Sequence, residues 1–272
     1  MAERFQSVWM ALLLASITMM LLQPQEAECW DCRFNCFKGQ SVTEFEREVK
    51  DKCQQFLGRQ NVPADRAKTR CDTFWKKFTS AFVKKDPDTI APGDYNDLFN
   101  TEPIAIPKDK LLLYSGTGEF LDLLDNQDTF VHVWNTFYSI LANKLWCGQS
   151  NNKDVFSEGC PPNPANMFWA SISAALAKGA TGTVTVLLNG KLGYMPDSFF
   201  AKFEVPNLDF NKVTALHVLM INDKDENTCE TDSVKNLRNI MKEHRNLFKC
   251  KFILQKNIGN TEPANWWDLA RT

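Results

Sequence analysis

Val213-Thr214-Ala215-Leu216-His217-Val218-Leu219-Met220-Ile221 decides the fold class. A strand with one wet face alternates apolar and polar residues, but this run is apolar almost throughout. It therefore reads as a strand in a sheet covered on both faces. Upstream, Thr183 to Leu188 is a β-branched strand that ends at Asn189-Gly190. Downstream, Asp232 to Phe248 reads as a helix and Lys251 to Leu254 as a last short strand. Strand and helix alternate, so a parallel α/β layer is expected here. Leu111-Leu112-Leu113-Tyr114 is a further apolar run, followed by Ser115-Gly116-Thr117-Gly118. A strand ending in such a turn can offer backbone N–H groups to phosphate, although two glycines alone specify only a tight turn.

The part before this layer is helical in pattern. Thr43 to Leu57 carries Phe45, Val49, Cys53 and Phe56 at helical spacing, with a capping-box pattern Thr43-x-x-Glu46. Asn61-Val62-Pro63 ends it. Asp65 to Val83 is a second helix, with Cys71, Phe74, Trp75, Phe78 and Phe82 on one face. Antiparallel packing across the short turn would bring Cys53 and Cys71 together. Residues 86–110 are rich in Pro, Asp and Asn and read as loop with room for a short helical turn. Val131 to Leu145 reads as a helix with Val133, Trp134, Phe137, Ile140, Leu141 and Leu145 on its apolar side and His132 beside it. Cys147 and Cys160 bracket a polar loop that a disulfide would staple. Asn163 then caps a helix with Pro164 in its first turn, carrying Phe168, Trp169, Ile172, Ala175 and Leu176 to Lys178-Gly179. Cys229 and Cys250 flank the last helix, and a bond between them would tie its ends together.

The bulk composition is that of a globular chain of 272 residues with 24% charged residues and a net charge of -2, which gives no push toward nucleic acid or an anionic membrane. Arg4 precedes an apolar run from Val8 to Leu22, of signal-peptide length and short of the roughly 20 residues that span a bilayer. Residues 1–28 are expected to be a signal peptide, and the mature chain secreted or held in a vesicle or granule lumen. The alternative is a membrane anchor formed by the uncleaved signal. Either way the compartment is oxidising and cysteines pair. The Cys-rich extension 29–42 holds Cys29, Cys32 and Cys36, with no histidine nearby for a zinc site. A local disulfide leaves one of the three free or linking two chains, which allows a homodimer.

The chemistry available is narrow. His132, His217 and His244 show no metal-ligand spacing, and no G-x-S-x-G or H-E-x-x-H motif is present, so no metal is expected. What stands out is Asp197-Ser198-Phe199-Phe200-Ala201-Lys202-Phe203-Glu204-Val205-Pro206-Asn207-Leu208, a carboxylate among aromatic rings. A carboxylate can stabilise the oxocarbenium-like cation of glycosidic cleavage. A cationic leaving group such as nicotinamide needs no general acid, so one carboxylate suffices.

These residues resemble the ADP-ribosyl cyclase/CD38 family. Leu145-Trp146-Cys147-Gly148-Gln149 is similar to its WCG motif, Phe168-Trp169-x-x-x-Ser173 to its FW-x-x-x-S helix, and Val186-Leu187-Leu188-Asn189-Gly190 to its strand and turn. The run from Asp197 to Leu208 is closest to the invertebrate cyclases. The resemblance covers about residues 43–255.

It implies an enzyme, an ADP-ribosyl cyclase and NAD glycohydrolase that also hydrolyses cyclic ADP-ribose, with NAD and NADP as substrates and no cofactor. The runner-up is a secreted nucleotide-binding or receptor module with little turnover. Glu204 matches the catalytic glutamate. Trp169 matches the ring packing on nicotinamide, Ser173 a serine near the ribosyl phosphate, and Ser198, Phe199 and Phe200 the substrate loop. Tyr114, before Ser115 and Gly116, stands where the family usually has tryptophan. An acid of the family that divides cyclisation from hydrolysis falls on Val133, or on Trp134 with a one-residue gap; neither carries charge. Cys53–Cys71, Cys147–Cys160 and Cys229–Cys250 match family pairs, while two other pairs are lost, with Asp88 at one and Lys108 and Thr181 at the other.

The expected fold is α+β or α/β, with a cleft between two subdomains. A helical subdomain takes 43–107 plus 131–170, and a Rossmann-like parallel-sheet subdomain takes 108–130 plus 171–256. Residues 257–272 form a C-terminal tail.

Overall fold

In the computed structural model the two leading amphipathic segments form helices α1 (Val42–Arg59) and α2 (Ala64–Phe82). The structure describes residues 42–83, 85–123, 129–147, 163–258 and 265–270. The expected signal peptide, Cys29, Cys32, Cys36 and Cys160 therefore lie outside the described residues. Helix α1 begins one residue before Thr43, so Thr43 sits in its first turn instead of capping it. The turn between the helices is dictated by Asn61. It takes the left-handed conformation (φ 60°), which asparagine tolerates better than most residues. Val62 N–H then reaches back to Leu57 O and Asn61 N–H to Gly58 O, satisfying carbonyls that the ending helix leaves open. The chain reverses and Cys53 bonds Cys71.

Residues 86–110 hold more than the one short helical turn expected of them. Two 3-10 turns, Pro87–Thr89 and Pro92–Tyr95, lead into helix α3 (Asn96–Thr101). Tyr95 and Leu98 have no exposed surface. Asp86 accepts from Asp88 N–H and Asp94 from Ala91 N–H, so short acidic side chains hold the turns.

Strand β1 (Leu112–Ser115) comes next, then a 3-10 helix over Gly118–Leu123. The expected helix from Val131 to Leu145 is absent. Two 3-10 turns, Val133–Asn135 and Phe137–Leu141, stand in its place, with Thr136 extended between them (φ -80°, ψ 165°). Of the residues expected on its apolar side, Ile140 and Leu141 are buried and Val133 and Phe137 half-buried, while Trp134 and Leu145 are exposed. Side chains compete with the helical ladder, however. Asn135 accepts from His132 N–H and donates to Phe130 O, and Thr136 donates to Val133 O.

Helix α4 (Asn163–Gly179) opens on Asn163 itself, whose amide donates to Pro87 O and Ile90 O; it is the first helical residue and not the cap. Strands β2 (Gly182–Asn189) and β3 (Val213–Asn222) come after it. Helix α5 is shorter than expected, Asp232–Ile240, and gives way to a 3-10 segment Lys242–Leu247 that is non-helical at His244. Phe248 starts strand β4 (Phe248–Leu254) instead of ending a helix. Cys229 and Cys250 are bonded across this unit, and Cys147 is also disulfide-bonded. Helices α6 (Gln255–Ile258) and α7 (Trp266–Leu269) close the described chain.

The four strands are parallel and lie in sequence order, β1-β2-β3-β4. A doubly wound Rossmann sheet reverses its strand order; this one does not. Alternate residues sort to two faces, as the pleat requires. Leu113, Val186, Leu188, Val218 and Met220 join the main core with Phe168, Ile172, Phe200, Val234 and Leu237. Leu112, Leu187, Leu219, Ile221 and Ile253 form a second core with Phe120, Ile258 and Trp266. The expected C-terminal tail is therefore a cover for the second face. Trp266 is 2% exposed, and Trp267 stacks on His217 at 3.9 Å. This is why β3 has no polar alternation.

Candidate active site

Glu204 sits in the connection from β2 to β3, on a segment that packs against α4. Ser198 starts that segment by accepting from Ala201 N–H (3.2 Å) and donating to Met195 O (2.7 Å). Pro206 shapes the backbone around Glu204. It has no N–H, and its ring crowds the carbonyl four residues back. The backbone answers by widening into a π-helical turn over Phe200–Glu204, with Val205 N–H bonded to Phe200 O. It then tightens into a 3-10 turn over Val205–Asn207. Asn207 donates to Phe203 O, one of the carbonyls set free. Such π turns recur at functional sites because they re-aim one side chain.

The side chain so aimed is 6% exposed. Its Oε2 has no hydrogen-bond partner among the described residues. Burial pushes the carboxyl up to about 8, and the hydrogen bond from Ser173 pulls the other way. A buried carboxyl with one satisfied oxygen is costly for folding, and such sites are where function is sought.

Ser173 lies one helical turn beyond Trp169 on α4, so both occupy one strip of the helix. Phe168 sets the rotation of that helix. It has no exposed surface and packs edge-on against Tyr95 (5.3 Å), Trp146 (5.4 Å) and Phe78 (5.9 Å). Trp146 in turn donates to Tyr95 OH, and Tyr95 to Pro164 O. With Phe168 locked, Trp169 is left half-buried and meets Trp134, ring centroids 4.9 Å apart at 53°. Trp134 is 38% exposed, whereas Val133 is packed against the core. Of Val133 and Trp134, Trp134 is the one beside Trp169.

The glycine turn lies at the carboxyl end of β1. Tyr114 is half-buried and Ser115 buried. Gly116 has φ +68°, a conformation that favours glycine, and a Cβ there would press on Leu192 Cδ1 at 3.1 Å and Asn189 Cβ at 3.3 Å. Thr117 Oγ1 donates to Leu187 O and Asn189 Nδ2 to Gly116 O (3.1 Å). Asn189, which the sequence places at the end of a strand and in the turn after it, is thus tied to the glycine turn of β1.

Phe199 is 38% exposed and sits 5.5 Å from Phe203, while Phe200 is buried beside Tyr194. His132 is fully buried, in extended backbone and not on a helix, and burial pushes it down to about 4. His217 is stacked on Trp267 and His244 on Phe210, away from these residues.

A family model described as ADP-ribosyl cyclase matches residues 42–258. An ADP-ribosyl cyclase/cyclic ADP-ribose hydrolase of Aplysia californica is 32% identical over 68% of this chain and 71% of its own length. ADP-ribosyl cyclase/cyclic ADP-ribose hydrolase 1 of Mus musculus is 29% identical over 93% of this chain and 83% of its own. Among solved structures, Aplysia cyclase complexed with substrate NGD and product cGDPR superposes with a TM-score of 0.68 at 27% identity, covering 82% of this chain and 93% of that one. Porcine CD38 with a covalent intermediate superposes with a TM-score of 0.68 at 28% identity, covering 82% and 100%.

Proposed function

The chain belongs to the ADP-ribosyl cyclase family, and from that premise we propose that it cleaves the nicotinamide–ribose bond of NAD at Glu204. The observation carrying this is the buried, half-satisfied Glu204 carboxyl bonded to Ser173, on the helix strip that also bears Trp169. The bond to the pyridinium nitrogen breaks with its electron pair going to nitrogen, so nicotinamide leaves neutral and no acid is consumed. The carboxylate stabilises the ribosyl cation left behind. Adenine N1 captures that cation to give cyclic ADP-ribose, or water captures it to give ADP-ribose and a proton. The same steps hydrolyse cyclic ADP-ribose and exchange the base on NADP.

Glu204 carries its proton in the free protein at neutral pH, because burial without a counter-charge disfavours the ionised form. The pyridinium of arriving NAD is the cation that makes ionisation favourable. Trp169 and Trp134 form the aromatic wall for that ring, and cation–π attraction suits a charged leaving group. Where the family has an acid, Trp134 excludes water and favours adenine attack. Tyr114, Ser115 and Gly116 receive the adenosine diphosphate side. Ser198 orders the Glu204 segment, Phe199 offers an open ring, and Phe200 anchors the segment from below.

The architecture proposed around this site is a helical subdomain (43–107 plus 131–170) and a sheet subdomain (108–130 plus 171–256) with the cleft between them. The protein works outside the cytosol, secreted, in a vesicle lumen, or anchored by an uncleaved signal, and an unpaired cysteine among Cys29, Cys32 and Cys36 permits a homodimer. A second reading, a nucleotide-binding module with little turnover, is favoured by Tyr114 and Trp134 standing in place of family residues. Incubation with NAD separates the two. Native protein releases nicotinamide and Glu204→Gln loses about 100-fold or more of the rate. Equal release by both overturns the assignment to Glu204, and no release by native protein favours the binding module.

A further inference from the structure

We infer that Asn189 is a positioning residue for the diphosphate of the substrate, acting through the peptide between Gly116 and Thr117. The inference rests on the proposed cleavage of NAD at Glu204. Asn189 ends β2 at the carboxyl edge of the sheet, next to the end of β1 in parallel register. Its side chain uses both ends. Nδ2 donates across to Gly116 O at 3.1 Å, and Oδ1 accepts from Lys191 N–H at 2.9 Å and Leu192 N–H at 3.3 Å. Its backbone carbonyl accepts from Gly193 N–H at 2.7 Å. One residue therefore ties together the glycine turn after β1, the end of β2, and the start of the loop leading to Glu204.

Peptide geometry carries the consequence to the substrate. In a planar trans peptide the C=O and the next N–H point in opposite directions. Holding Gly116 O toward Asn189 turns Thr117 N–H the other way, out of the β1–β2 seam. Thr117 Oγ1, bonded to Leu187 O, pins the residue after the glycine. Glycine at φ +68° adds no side chain of its own to the turn, and with Leu192 and Met195 covering its Cβ direction, the Thr117 N–H edge is where an anionic group would meet the backbone. The glycine itself adds no stiffness, so the bonds from Asn189 and Thr117 hold the turn. The position has little freedom to adjust, because Gly190 lies against Asn222, whose Oδ1 would be 1.8 Å from any added Cβ.

The test uses Asn189→Ala and Asn189→Ser. Serine keeps a short acceptor for the N–H groups of the next residues but cannot reach Gly116 O, so it isolates the lost donor if the alanine variant folds poorly. Steady-state cleavage of NAD is measured on the native protein and both variants, with competitive inhibition by inorganic pyrophosphate and by nicotinamide. The expected result is a KM for NAD and a Ki for pyrophosphate raised together by about tenfold. The Ki for nicotinamide and kcat should stay near native. A general loosening of the fold would instead lower kcat and weaken both inhibitors, and that outcome overturns the proposal. So does an unchanged pyrophosphate Ki in the serine variant, or a native enzyme that pyrophosphate does not inhibit. Failure of the native protein to release nicotinamide from NAD refutes the functional reading itself; a native enzyme with unaltered variants refutes only the role of Asn189.

Discussion

Replacing Glu204 by glutamine should stabilise the protein at high pH while abolishing its chemistry. Burial pushes this carboxyl from an ordinary value of 4.5 up to about 8. At about 1.4 kcal/mol per pK step, ionising it in the folded state costs on the order of 5 kcal/mol, an upper bound because local opening admits water. Below pH 4.5 both folded and unfolded chains hold the proton, and the group has no effect on stability. Between 4.5 and about 8 the unfolded chain releases the proton and the folded chain keeps it. The unfolded state then binds fewer protons, so stability falls as pH rises. Above about 8 both are ionised and the full penalty is present. Glutamine has the same shape and no charge at any pH.

The Tm of Glu204→Gln should therefore match the native Tm near pH 4 and exceed it at pH 9 by several degrees, up to roughly 10–20 °C, taking about 2–4 °C per kcal/mol for a chain of this size. Thermal unfolding followed by circular dichroism at both pH values measures this. Equal Tm values at pH 9, or a less stable glutamine variant, would mean that the carboxylate is solvated or paired in the free protein and would refute the reasoning. The kinetics give a second reading of the same carboxyl. kcat/KM reports the free enzyme and should fall about tenfold per pH unit below about 8. kcat reports the complex, where the pyridinium favours the carboxylate, so its fall should begin at lower pH. A kcat/KM that stays flat from pH 5 to 9 would contradict a protonated resting state.

Three further outcomes are expected. Trp134→Glu restores an acid beside Trp169 and should raise the share of ADP-ribose over cyclic ADP-ribose, read by chromatography of products from NAD; Trp134→Phe should leave the share near native. Trp266→Ala should cost about 3–5 kcal/mol in denaturant unfolding, because it empties a site that is 2% exposed under the sheet. Gly190→Ala should lower both Tm and soluble yield, since the added Cβ falls 2.8 Å from the Ile221 backbone carbonyl as well as onto Asn222.

Much of this architecture was legible from spacing alone. Helices α1 and α2, the turn at Asn61, and strands β2 and β3 obey local rules that tertiary contacts reinforce. The departures share a cause. Between Val131 and Leu145 the apolar spacing is helical, yet Asn135 and Thr136 bond the backbone locally and break the ladder. From Asp232 to Phe248, an apparently single helix kinks at His244 and hands Phe248 to the sheet. Spacing reports which residues face the core, and several backbone paths can meet the same demand.

The site divides along the same line. Order along the chain was enough to place Glu204 among rings, to put Trp169 and Ser173 on one helix strip, and to set a glycine turn after a strand; each is a statement about near neighbours. Packing was needed to leave Glu204 with one orphaned oxygen, to bring Trp134 and not Val133 against Trp169, to tie Asn189 to the Gly116 turn, and to lay Trp266 over the far face of the sheet. These features join residues far apart in the chain, 73 positions in the case of Asn189 and Gly116, or depend on what surrounds a buried atom. Pairing across such distances is set by how whole elements pack, which no local pattern encodes.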